Sequence, residues 1–414
     1  MASNHFEITQ KVARLMLARY RNINPFVMTA FRGYEEEYKD GFAYGDTLRI
    51  RRQNQYIISD GRIANAQAVN QLTDTLTINH QYNTLLNFTS TQLTLFLDKD
   101  KEFYRQQFLY PVMDAISKKA EVGIANDAVN QINYAVGDPA QALNSYDAID
   151  DIRVRMVELA MPVTEGLYCA VSPKDAGALR KATNNHFNPT LNTDVTFYAR
   201  LGNLAGIDLF ESNSIPIHVA GSGAGTPVTS AAVTSGSSIP LSGFTASQTN
   251  VLRKGDTISF ANPSGNNPNA VNPVDRADLG RFMQFVVLND VNSNGSGVAT
   301  VQVSPSIISD PSSPNRNVSR AIESGATLNL AGKGTSYRVN VAYCTRGLSM
   351  VTPPMAIPPG APSAYLARDT NANLALRVIE TPYDGVNDLS PLRLDLLIGQ
   401  LWHQPYAMKV FSAV

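Results

Sequence analysis

The chain has 414 residues, enough for roughly two to three domains and a core that removes on the order of three quarters of the unfolded surface from water. Charged residues make up only 17% of it, and 27 Gly and 23 Pro favour loops and β-structure over a helical bundle. A net charge of −1 excludes a whole-chain field that would draw the protein onto nucleic acid, and no basic stripe supplies a local one.

Residues 6–21 read as an amphipathic helix, with Ile8, Val12, Leu15 and Met16 on one stripe and Arg19 at its end. The helix stops before Asn24-Pro25 and needs a partner elsewhere on the fold or on another subunit. Glu35-Glu36-Glu37 is either a solvated run or a partner for a neighbour's arginines. DTLRIRR (46–52) and TDTLTIN (73–79) alternate as two strands of a hairpin, Leu48 and Ile50 on one face, Arg49 and Arg51 on the other. Roughly twenty mostly polar residues separate them, a length unusual inside a compact domain. That tip is either a loose surface loop or an extended arm lying across a neighbouring molecule.

FLDKDKEFYRQQFLY begins a helix with acids. Pro111 then opens a second helix running to about Ile132, in which Val112, Ile116, Ala120, Ile124, Ala128 and Ile132 recur near helical spacing. At 1.5 Å per residue it spans about 33 Å, long enough to be the spine of a domain. AIDDIRVRMVELAMP is a further helix opened by acids, and GLYCAV a buried strand. Ser172-Pro173 caps and starts the helix SPKDAGALRKA, and GNLAGIDLFESNSIPI supplies a Gly turn and a strand.

From Ser212 to Leu252 no Lys, Arg, Asp or Glu occurs, and Gly, Ser, Thr and Ala dominate. VLRKGDTISF then opens an all-β region over 251–345, with DTISF, RFMQFVVLNDV, GVATVQVS, ATLNLAG and SYRVNVAYC as strands between turn-rich segments. That spacing suggests a small barrel or sandwich. NLALRVIETPY and LRLDLLIGQLWHQPYAMKVF close the chain as strands among proline loops. The uncharged run is either a linker to a second protein or the way into a small inserted domain.

No catalytic constellation survives inspection. His5, His80, His186, His218 and His403 are scattered, without HExxH or Cys/His zinc spacing. GSGAGT (221–226) departs from the GxGxxG spacing, and neither GxSxG nor a Walker lysine is present. Asp147, Asp150 and Asp151 suit a helix's first turn, a commoner reason for acids than a bound hard cation. Cys169 and Cys344 are too few to staple a secreted fold and lie in apolar surroundings, where a thiol acts as a small buried hydrophobe. No apolar run approaches the ~20 residues of a membrane helix, and the first residues lack the apolar centre of a signal peptide. The expected product is soluble and made inside the cell, with no catalytic residue, no cofactor and no metal site.

Taken in order, the N-terminal helix, long-tipped hairpin, spine helix, strand–Pro–helix domain, β-rich insertion and closing strands resemble the major capsid (coat) protein of tailed double-stranded DNA bacteriophages. The resemblance is nearest to the short-tailed-phage branch that carries a telokin-like inserted β-barrel. LYPVMDAISKKAEVGIANDAV is similar to that family's spine helix, and YCAVSPKDAGALRKA with GNLAGIDLFESNSIPI to its strand–helix–strand core. VLRKGDTISFAN and RNVSRAIESGATLNL resemble stretches of the inserted domain, and LRLDLLIGQLWHQPYAMKV the last strands. The resemblance implies an α+β tailed-phage capsid fold: an N-terminal arm over 1–40, an extended hairpin (E-loop) over 41–80, and a peripheral domain with the spine helix over 81–145. The axial domain then begins over 146–218, an inserted β-barrel domain occupies 219–340, and closing strands fill 341–414. The uncharged run would lead into the insertion, whose two ends stay close together on the host.

The same resemblance implies self-assembly into hexamers and pentamers of an icosahedral shell. It implies a scaffolding protein and a portal protein as partners, packaged double-stranded DNA held without sequence-specific binding, and no membrane. Some relatives cross-link through a lysine in the hairpin arm; residues 53–72 contain none, so a non-covalent shell is expected. The chain starts almost directly with the arm helix, so the scaffolding protein is expected to be separate. Charged loops of the inserted domain bridge capsomers in the family. The uncharged 219–250 cannot do so, which leaves Asp275, Arg276, Asp278 and Arg281 as candidates, a solvated loop being the alternative. On the arm, Arg51, Arg52, Asp60 and Arg62 are candidates for intersubunit ion pairs, each worth at most ~1 kcal/mol when exposed. Other readings are an encapsulin-like compartment shell and a β-rich carbohydrate-binding surface protein.

Overall fold

The computed structural model describes residues 13–20, 24–33, 47–58, 60, 62, 71–92, 106, 109–183, 202–359, 363–369 and 374–414. The start of the helix read over 6–21, Glu35-Glu36-Glu37 and most of the helix read over 96–110 lie outside these residues.

Residues 13–20 form helix α1. A short α2 (Pro25–Thr29) follows, capped by the Asn24 side chain, which accepts from the Val27 amide. Next come β1 (Thr47–Arg51), β2 (Thr73–Thr89), the long α3 (Tyr110–Gln131), β3 (Ala135–Val136), α4 (Tyr146–Glu158), β4 (Leu167–Val171) and α5 (Pro173–Thr183). Strands β5 (Asn203–Leu204), β6 (Ile207–Glu211), β7 (Ile217–Val219), β8 (Gly225–Thr229), β9 (Ser235–Phe244) and β10 (Thr257–Ala261) precede a hairpin of β11 (Asn269–Val271) and β12 (Asp278–Phe282). Then follow β13 (Phe285–Val287), β14 (Ala299–Ile308), β15 (Thr327–Leu330), β16 (Ser336–Cys344), β17 (Leu348–Val351), β18 (Ser363–Asp369), β19 (Leu374–Glu380), β20 (Leu389–Trp402) and β21 (Ala407–Ala413). The class is α+β with strands dominant.

Two compact units divide the chain. The first comprises residues 1–50, 75–124 and 348–401. Its sheet runs β1-β2-β20-β19-β18, with β17 also on β20. Strand β2 is longer than the TDTLTIN alternation suggests, because it pairs antiparallel with β20 as far as Thr89↔Leu389. Leu48, Ile50, Leu76 and Val351 form a buried cluster at one end, as the alternation of β1 requires. On β20, buried Asp395 accepts from Arg377 (2.8 Å), Arg393 (2.9 Å) and Gln81 (3.2 Å). Burial pushes its carboxyl up, but hydrogen bonds from Arg393, Arg377 and Gln81 outweigh that and hold it below the ordinary value. Helix α1 buries Ala13, Met16, Leu17 and Tyr20, and Arg19 makes a two-pronged pair with Asp114 of α3 at 2.9 and 2.8 Å. The helix therefore has a partner within its own chain.

The second unit comprises residues 51–74, 125–347 and 402–414. Its seven-stranded sheet runs β3-β21-β16-β4-β6-β5, with β7 also on β16. Strands β4 and β6 are parallel, which requires a crossover, and α5 lies in it. Ser172 starts α5 by accepting from the Asp175 amide at 3.2 Å while its hydroxyl donates to the Asp175 carboxylate at 2.7 Å. Ile149, Ile152 and Met156 of α4 and Ala176 and Leu179 of α5 share a core with Cys169, Cys344, Met408 and Val410 of the sheet. Both thiols are free and buried, and desolvation pushes them up to about 12 (Cys169) and about 11 (Cys344).

Strands β10-β13-β14-β9-β8-β15 close into a barrel lying between β7 and β16 in the chain. Two expectations are corrected here. The uncharged run is not a bare lead-in, because β8 and β9 lie within it. Barrel strands need alternation, not charge, and SIPLSGF supplies it at Ile239 and Leu241, with Phe244 also buried beyond a shift in the β8–β9 register. SYRVNVAYC is not a barrel strand. It is β16, which pairs with β21, β4 and β7 of the host sheet. The strands flanking the barrel are thus hydrogen-bonded neighbours, with Val219 opposite Ser336 and Ile217 opposite Arg338.

Candidate assembly surfaces

The arm candidates divide at the root of the hairpin. Arg51 ends β1 on its exposed face, as the alternation predicts. Arg52 is engaged within the chain: Nε and Nη2 donate to Asp74 at 2.8 and 2.5 Å, and His403 Nδ1 lies 3.3 Å from the same carboxylate. Burial pushes the Asp74 carboxyl up, but hydrogen bonds from His403 and Arg52 outweigh it and leave it below its ordinary value. The bidentate fork clamps the base of the arm. Beyond the clamp, Asp60 and Arg62 are exposed, as are Tyr56 and Ile58.

The four barrel candidates lie together on or beside the β11–β12 hairpin, a two-stranded ribbon apart from the closed barrel. Asp275 and Asp278 are exposed, and each caps its own turn: Asp275 accepts from the Ala277 amide (2.9 Å) and Asp278 from the Gly280 amide (2.8 Å) and the Asn269 side chain (3.3 Å). Arg276 sits at φ +65 and donates to the Arg316 carbonyl at 3.1 Å. Desolvation, then the neighbouring Arg316 guanidinium, hold its pKa below the ordinary value. Arg281 turns back to α4, placing Nε 3.0 Å from Glu158. Glu158 also pairs with buried Arg155 at 3.1 Å, and its carbonyl accepts from Asn272 at 3.2 Å.

Of the eight candidates, Arg51, Asp60, Arg62, Asp275 and Asp278 present charge outward, while Arg52, Arg276 and Arg281 are engaged at home. Sequence reasoning missed Asp74, His403, Glu158 and Asn272, the groups bonded to Arg52 at the arm and between the β11–β12 hairpin and α4. Asp74 sits on the polar face of a read strand. Glu158 has no local signal, since Arg281 is distant in sequence. Among the described residues no cluster of His, Cys, Asp and Glu could hold a metal ion, and no helix is long and apolar enough to cross a membrane.

The family described as P22 coat protein (gene protein 5) matches residues 65–411, ending in the last strand. The chain belongs to the P22 coat protein family. It is a major capsid protein, a structural subunit of an icosahedral virion shell and not an enzyme. The barrel hairpin of this coat protein lies inside the matched span; Arg51, Arg52, Asp60 and Arg62 precede it. No curated protein matches in sequence. Among solved structures, that of Mycobacterium phage Che8 is similar with a TM-score of 0.46 and 11% identity, over 94% of this chain and 90% of that one. The mature capsid of bacteriophage PhiM1 gives 0.40 and 12% over 89% and 82%. The virus-like particle from Pyrococcus furiosus gives 0.42 and 8% over 98% and 99%.

Proposed function

We propose that this coat protein forms rings of five and six copies that close into the shell around a separate scaffolding protein, with a portal protein at one position, and that the finished shell holds double-stranded DNA without reading its sequence. Its subunits cohere without covalent cross-links. Family membership over residues 65–411 carries this reading. Two further observations support it. Two hairpins expose charge, Asp60 and Arg62 on one and Asp275 and Asp278 on the other, that their own units leave facing solvent. Exposed pairs of that kind are worth at most ~1 kcal/mol each, weak enough for a misplaced subunit to leave before closure and strong when summed over a shell. The net charge of −1 suits a wall that meets DNA without condensing on it.

Negative-stain electron microscopy of the recombinant protein, alone and with its candidate scaffolding protein, tests the proposal. Closed shells, or tubes and spirals of hexameric rings, are the expected result. Monodisperse monomers with scaffolding present would overturn it.

A further inference from the structure

Two fully buried ionisable side chains, Asp256 and Lys409, lie where the barrel meets its host. Successive residues of a strand face opposite sides of a sheet. Tyr337, Val339 and Phe411 on one side cluster with Val129 of α3, Ala135 of β3 and Ala220. Lys409 shares that side by register, opposite Val341 and Ala135, and is fully buried. Its amine donates to the Gly255 carbonyl at 2.9 Å and to the Thr257 hydroxyl at 3.1 Å, on either side of Asp256.

Asp256, also fully buried, accepts from the amides of Arg253 (2.7 Å) and Gly221 (3.1 Å) and faces His218 Nε2 at 2.7 Å. An ionised carboxylate only accepts, so His218 Nε2 carries the hydrogen. The His218 ring meets the edge of Tyr337 with centroids 5.5 Å apart. Three stretches of chain meet at this point: the strand before the barrel, the barrel's RKGD turn and the last strand. The titratable groups around Lys409 are Asp256 from the turn, His218 from β7 and Tyr337 from β16; β3 and the adjoining stretch of α3 contribute Ala135 and Val129.

We propose that Lys409, Asp256 and His218 form a proton-linked latch that seats the inserted barrel on its host sheet. Asp256 holds the turn to β7, and Lys409 holds it to β21. Burial pushes the Lys409 amine down from 10.5 to about 7, against the pull of the Asp256 charge. When the turn lifts, the amine reaches water and regains its ordinary pKa. Between about pH 7 and 10.5 the lifted form therefore binds one more proton than the seated form. Raising pH across that window tightens the latch, up to about tenfold per pH unit. Below about pH 7 both forms carry the proton and the effect levels off, leaving the latch at its weakest.

Hydrogen exchange of the full-length subunit between about pH 7.5 and 9.5, corrected for the intrinsic rate, tests this. The amides of 219–222 and 253–257 are read against those of β14. The opening constant at the latch should fall by up to about tenfold per unit while β14 changes less. Lys409→Met should flatten the dependence. Asp256→Asn, which removes the negative charge beside the amine, should move the levelling-off point to lower pH. A wild-type latch with no pH dependence across the window overturns the proposal whatever the variants do, and so does a slope that persists in Lys409→Met.

Discussion

Gly255 in the RKGD turn is the residue whose replacement tests the barrel seating most directly. It lies at φ +91, and a Cβ built there would sit 2.8 Å from Val129 Cγ1, 3.2 Å from Asn130 Oδ1 and 3.4 Å from His218 Cε1. Val129 is β-branched and on a helix, so it has essentially one rotamer and cannot swing aside. Gly255→Ala therefore carries two penalties: about 1–2 kcal/mol for an L-residue at positive φ and about 1–3 kcal/mol for overpacking. Gly265 separates them, since it has φ +76 with nothing within 4 Å of its Cβ position. Gly265→Ala should carry the first penalty alone. The assay is urea unfolding of the full-length protein, followed by the fluorescence of Trp402, the single tryptophan, which packs edge-on against Tyr343 of the host sheet at 5.1 Å. Equal losses in the two variants would refute the claim that the turn is wedged against α3 and β7.

Asp395→Asn should cost about 3 kcal/mol, because it leaves nearly buried Arg377 without its countercharge. Since the Asp395 pKa is depressed in the fold, its contribution is present above the ordinary carboxylate value and lost as pH falls through the folded value; acid titration of the variant should lack that component. Glu158→Gln should speed hydrogen exchange in 269–282 by weakening the hold on Arg281, and unchanged exchange would show that the bond from Asn272 to the residue-158 carbonyl tethers the hairpin without the ion pair. Cys169 and Cys344 should resist a thiol reagent in the native protein and both react in denaturant, because burial and raised pKa suppress the thiolate. Denaturing gels of mature particles should show monomer; a ladder would reveal a cross-link through a residue other than an arm lysine, since 53–72 has none.

What could be read from the sequence was local and periodic. The spine helix was legible because Ile116, Ala120, Ile124 and Ala128 repeat on one side and are buried as that repeat demands. Helix α5 was legible from Ser172-Pro173 alone. The far half of β2 was not, because its pairing with β20 joins segments about three hundred residues apart and its residues between Leu76 and Phe88 are half-buried or exposed, none fully buried. Strand β9 was hidden by composition: three buried apolar residues among Gly and Ser read as a linker until the alternation is counted. At the candidate surfaces, which charges exist was legible. Which are already engaged was not, since Arg281 finds Glu158 and Arg52 finds Asp74 only through tertiary register. Lys409 was wholly illegible: AMKVF reads like any half-exposed strand, whereas β21 is covered on both faces.

The barrel and its host depend on each other unequally. The ladder between β7 and β16 continues past both strands, with the Ala220 amide donating to Thr335 (3.0 Å) and the Gly334 amide to Gly221 (2.9 Å), so the barrel stands where a hairpin turn would otherwise close the sheet. The barrel closes on itself and fills its interior with Ile239, Leu241, Phe260, Phe285, Val301 and Val303, so it has no open edge for the host to cover. The host, by contrast, relies on the RKGD turn for the acceptors of Lys409 and for the carboxylate that holds His218. A segment of residues 222–333 expressed alone should therefore fold and melt cooperatively. The remaining chain, joined by a short turn, should lose stability while Lys409, now wet, regains its ordinary pKa. An unfolded 222–333 segment would show that the host templates the barrel, and a host as stable without the barrel as with it would show that the buried contacts at the junction contribute nothing.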